Sequence, residues 1–118
     1  MKVRKPHFFY CEIYMVNIYF YQGIPAKEVV ASMKKHLRMN YDAEKLLPIA
    51  GRSMSYNDGE FVIYMKFKSK KHISTLAHEC LHVTNMILER AGVRVDLDND
   101  EAQAYLLGWL MKKLSGVK

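Results

Sequence analysis

Cysteine is scarce in this chain. Its 118 residues contain two, Cys11 and Cys80, too few for a disulfide framework and without the paired spacing of a Cys-based zinc finger. Proline and glycine are also few, three and six, so the chain holds no flexible linker, collagen-like repeat or low-complexity tract. No apolar run approaches the ~18 uninterrupted residues a spanning helix requires. The basic start Met1-Lys2-Val3-Arg4-Lys5-Pro6 leads into an apolar stretch that Glu12 and Asn17 interrupt, which does not fit a secretory signal. These absences leave a single domain, residues 1–118, with no membrane partner and an expected place in the cytoplasm.

What is present is ordinary globular material. Half of the residues are hydrophobic and a quarter are charged, enough apolar content for a core without staples. The net charge is +6, from 18 basic and 12 acidic residues. The basic residues fall in short groups, among them Lys34-Lys35-His36 and Lys66 to Lys71. Such an excess is compatible with a nucleic-acid partner but supports one only weakly, because a solvated basic surface gives the same balance.

Residues 7–21 are aromatic and β-branched and are expected to form one strand. Gly23 and Pro25 end it, and a helix is expected from Pro25 to about Leu37. Ser53–Tyr56 and Glu60–Lys68 read as a hairpin closed by Asn57-Asp58-Gly59, residues that tolerate positive φ. In its second arm Phe61, Ile63, Met65 and Phe67 share one face, and Val62, Tyr64, Lys66 and Lys68 the other. Residues 73–91 carry a strong helical period stopped at Gly92, and a last helix is expected at about 99–114. The order implies an α+β domain: a small, mostly antiparallel sheet with about three helices packed on one face of it.

One segment carries chemistry. His78-Glu79-Cys80-Leu81-His82 is an HExxH pattern inside the helix at 73–91. Residues four apart stack on one helix face, so both imidazoles can address one metal ion. At 100° per residue, Leu76, Cys80, Val83, Thr84, Ile87 and Ala91 cluster on one side, while His78, His82, Asn85 and Glu89 cluster opposite. The histidines therefore stand off the apolar stripe, which raises them above two chance surface histidines. Glu79 is one step round the helix, beside the metal position, where a carboxylate serves as general base on a water. One zinc per chain is the expected cofactor.

Catalytic zinc commonly takes three protein ligands. Glu101, nineteen residues after His82 and at the start of the last helix, is the foremost candidate for the third. Asp96, Asp98 and Asp100 are acidic and close, but precede the helix. A rival reading of Glu101 needs no metal: Asp98-Asn99-Asp100-Glu101 has capping-box spacing, with Asp98 as cap.

Three further residues invite roles beside the metal. His72, just before the helix, could support an oxyanion or lie exposed in its loop. Tyr105, one turn after Glu101, could hydrogen-bond a reaction intermediate or pack against His82. Asn85, a turn beyond His82, is a candidate partner for a ligand. Cys80 falls on the apolar side and reads as a small buried hydrophobe.

His78-Glu79-Cys80-Leu81-His82 followed by Asp100-Glu101-Ala102-Gln103-Ala104-Tyr105 resembles the gluzincin branch of zinc metallopeptidases. The likeness covers about residues 61–110. The resemblance implies a His78, His82, Glu101 zinc site, Glu79 as base, and a peptide or protein substrate. It also implies that the strand ahead of the active-site helix, here Phe61–Lys68, borders the cleft with a free edge. The whole chain is also similar to short zincin-like proteins of bacteriophage and prophage genomes, through Ser74–His82 and Ala104-Tyr105-Leu106-Leu107-Gly108. That likeness implies residence in a host cytoplasm, and it leaves open a module that binds zinc without hydrolysing anything.

Overall fold

A computed structural model describes residues 2–118. Four strands, β1 (His7–Cys11), β2 (Val16–Gln22), β3 (Gly51–Tyr56) and β4 (Glu60–Met65), form one sheet in the order β1-β2-β4-β3. The helices are α1 (Ala26–Ser32), α2 (Ile73–Arg90) and α3 (Glu101–Ser115). A π-helical turn, Met33–Leu37, prolongs α1 until Arg38 ends it in the left-handed conformation. The class is α+β, as expected.

The expected single strand over 7–21 is instead a hairpin. Residues 12–15 turn, and β1 pairs antiparallel with β2, His7 opposite Phe20 through Cys11 opposite Val16. Met15 makes the reversal at φ 53°, with no glycine, proline or asparagine in the turn.

The two outer pairings are antiparallel, but β2 and β4 run parallel at the centre of the sheet, Ile18 beside Phe61 and Phe20 beside Ile63. A parallel pair needs a long connection: α1 and the segment to residue 50 lead to β3, and β3 runs back antiparallel to the start of β4. The helices therefore lie on both faces and not on one. Tyr21, Val62, Tyr64 and Met54 pack with Val29 and Met33 of the α1 layer. Ile18, Phe20, Phe61, Ile63 and Met65 pack with Leu76, Cys80, Val83 and Ile87 of α2 and Leu106, Leu110 and Leu114 of α3. Burial on both faces explains why β2 and β4 read as near-continuous apolar runs.

This topology corrects the expected cleft strand. β4 is hydrogen-bonded on both sides, so Phe61–Lys68 offers no free edge. The strand that ends the sheet beside α2 is β3. Its residues Gly51, Ser53 and Ser55 stand opposite Met65, Ile63 and Phe61 and so face α2. Only small side chains occupy that row, which lets the helix approach the sheet edge closely.

Candidate metal centre

The period of α2 sets the site. Leu76, Cys80, Val83, Thr84 and Ile87 are buried against the sheet, while His78, His82, Asn85 and Glu89 are exposed. Ala91, expected on the buried side, is exposed where the helix ends. His78 Nε2 and His82 Nε2 lie 3.1 Å apart, their rings edge to face at 78° with centroids 4.7 Å apart. Two nitrogens each ~2.0–2.1 Å from one tetrahedral zinc would stand ~3.3 Å apart. The pair is thus close to chelating separation. In the free pair one Nε2–H donates to the other nitrogen, and a metal ion would take the place of that shared proton.

Glu79 turns from the same helix toward the sheet edge and is buried, at 6% exposure. Ser53 Oγ donates to its Oε1 at 2.9 Å, while Oε2 has no hydrogen-bond partner among the described residues. Gly51 makes room for this carboxylate. A Cβ there would lie 3.1 Å from Glu79 Cγ, 3.2 Å from its Oε2 and 3.0 Å from Thr75 Cγ2. His78, Glu79 and His82 open with Gly51, Arg52, Ser53 and Met86 onto one cleft of about 340 Å³. Gly51 and Ser53 escaped the reading of the sequence. Their signal was the alternation of small residues, Gly-x-Ser-x-Ser, along β3.

The other candidates lie outside this cleft. Glu101 is the first residue of α3 and is exposed. Gln103 Nε2 donates to Asn85 Oδ1 at 2.7 Å, which ties the first turns of α3 to α2. Residues two apart on a helix point roughly 160° apart, so with Gln103 turned to α2 the Glu101 side chain is turned away from it. No three His, Cys, Asp or Glu side chains converge among the described residues. Asn85 therefore serves the helix–helix contact and not a histidine. The capping box does not form either. The Asp98 N–H is held by Asp96 Oδ1 at 3.0 Å, and Asp100, the residue before α3, makes no side-chain cap.

His72 stacks on Phe67, with ring centroids 4.8 Å apart, and does not line the cleft. Tyr105 is 61% exposed and, with Trp109 of α3, lines a groove against Phe8, Tyr10 and other residues of the β1–β2 hairpin; His82 is not part of that groove. Cys80 is fully buried. Burial, reinforced by the neighbouring Glu79 charge, pushes its thiol up to about 12, so it is an inert hydrophobe and no ligand.

No family model, no curated protein and no solved structure matches this chain.

Proposed function

We propose that the chain is a small zinc-dependent hydrolase of the metallopeptidase type. The single observation that carries this reading is the pair of imidazole nitrogens 3.1 Å apart above a buried, hydrogen-bonded Glu79. His78 and His82 would hold the ion. Bound there, zinc supplies Lewis acidity, polarising a carbonyl and bringing the pKa of water toward ~7.

The remaining chemistry belongs to the chain. Ser53 holds one carboxylate oxygen of Glu79, a residue that lines the cleft, and leaves the other, Oε2, without a hydrogen-bond partner among the described residues. Oε2 takes a proton from water attacking a peptide carbonyl and returns it to the leaving amine. The outer edge of β3 presents unpaired N–H and C=O groups to an extended substrate, the role the sequence suggested for Phe61–Lys68. Arg52, exposed on that edge, adds positive charge beside the substrate path.

Glu101 supplies the third protein ligand in this reading. Residues 94–101 are all exposed and held by local hydrogen bonds, such as Asn99 Nδ2 to the Arg94 carbonyl at 2.7 Å. For Glu101 to join the histidines, the first turn of α3 would have to give up the Gln103–Asn85 hydrogen bond and turn toward α2.

The test is hydrolysis of an unstructured peptide mixture by the full chain. Cleavage should stop on chelation and return with zinc. An intact mixture in the presence of zinc-loaded protein would favour the alternative, a zinc-holding module that acts by contact.

A further inference from the structure

Loop 66–72, after β4, departs from the rest of the surface. Lys66-Phe67-Lys68-Ser69-Lys70-Lys71-His72 places four lysines in seven residues with no acid among them. Lys68 and Lys70 line a cavity of about 610 Å³ together with Ser115, Gly116, Val117 and Lys118. No Asp or Glu side chain lines it, and none of its lysines forms an ion pair among the described residues.

The walls of this cavity are built rather than loose. Gln22, buried at 7% exposure, accepts from the Ser69 N–H at 2.8 Å and donates to the Val117 carbonyl at 3.2 Å. One side chain thereby ties the lysine loop to the segment after α3. The Lys68 stem rests on Gly23, where a Cβ would come within 3.1 Å of Lys68 Cγ.

The next residue back is aromatic. Phe67 is 49% exposed and stacks on His72 at 4.8 Å. It lines a second depression of about 320 Å³, shared with Ile24, Pro25, Leu47, Tyr64 and Lys66 and likewise free of acids. Consecutive residues thus present a half-exposed ring, backed by His72 and with Lys66 Nζ 5.8 Å from its centroid, to one hollow and an unpaired cation to the other. An acidic peptide or a simple anion would use the lysines but has no need of the ring. A duplex hides its base faces and cannot reach it.

We propose that loop 66–72 binds single-stranded nucleic acid, with phosphates held at Lys68, Lys70 and Lys71 and a base stacked on Phe67. Aromatic stacking beside a cationic groove is the usual chemistry of sequence-tolerant single-strand binding. The site is separate from the histidine cleft and stands whether or not the chain hydrolyses peptides.

The test is fluorescence anisotropy of the full chain with labelled oligothymidylate of about 20 nucleotides, at several salt concentrations. Binding should be tighter for the single strand than for a duplex of equal length. Lys68→Ala with Lys70→Ala should flatten the slope of log K against log salt by about 1.4, from two phosphate contacts. Phe67→Ala should weaken single-strand binding about tenfold and leave the slope unchanged. His78→Ala should bind as the unaltered chain does. Phe67 is half exposed, so its variant should melt as the parent does, and a matching thermal melt checks this. No binding at about 50 mM salt overturns the proposal. So does equal affinity for the strand, the duplex and inorganic polyphosphate with Phe67→Ala neutral, which would leave only a counter-ion surface. Loss of binding in His78→Ala would place the strand at the other cleft and also overturn it.

Discussion

Glu79→Gln should leave zinc at one per chain, change stability by about 1 kcal/mol or less, and lower peptide hydrolysis by roughly 10²–10⁴-fold. Glutamine keeps the shape of the buried side chain and its carbonyl oxygen can still accept from Ser53 Oγ, so the contact at 2.9 Å survives. What disappears is the ability to take a proton from water at neutral pH. Steady-state cleavage, metal content and thermal melting of the same preparation separate these effects. Loss of zinc together with activity would make Glu79 a structural or ligating group. Unchanged turnover would remove it from the chemistry altogether.

Glu101→Ala carries the next largest expectation. As a ligand, Glu101 accounts for one of three protein donors, and its removal should weaken zinc binding by at least tenfold and reduce the metal-dependent gain in melting temperature in proportion. If it only occupies the first turn of α3, it contributes through the helix dipole, about 0.3–1 kcal/mol, and zinc affinity stays within about twofold of the parent. The exposed position of its side chain makes this a stringent test. An Asp98 or Asp100 variant that loses zinc while Glu101→Ala retains it would move the ligand to the preceding segment.

Much of the site was legible because α2 obeys one period over 18 residues. Its buried and exposed faces follow from 100° steps, and the histidine pair follows from the i, i+4 relation. The β3–β4 turn was equally legible, since Asn57 and Gly59 adopt the positive φ their types suggest, 49° and 78°. Reading failed where the signal was tertiary. The reversal at residues 12–15 uses Ile13, Tyr14 and Met15, none of them a turn former, and Ile13 and Met15 are exposed at 64% and 72%. The parallel β2–β4 pairing joins segments some forty residues apart, and no local pattern reports a partner. Its indirect trace was the unbroken apolar runs Ile18–Tyr21 and Phe61–Met65, which fit strands covered on both faces. Moving β4 to the centre of the sheet moved the free edge to β3, and with it came the two residues that shape the surroundings of Glu79, Gly51 and Ser53.

The most direct measurement is zinc stoichiometry after equilibration of the metal-free chain with zinc, for the parent and for His78→Ala and His82→Ala. Nitrogens 3.1 Å apart that converge on one ion predict one zinc per chain in the parent, little or none in either variant, and a rise in melting temperature on metal addition that only the parent shows. A parent chain that binds no zinc, or one whose zinc survives the loss of either histidine, would contradict the account.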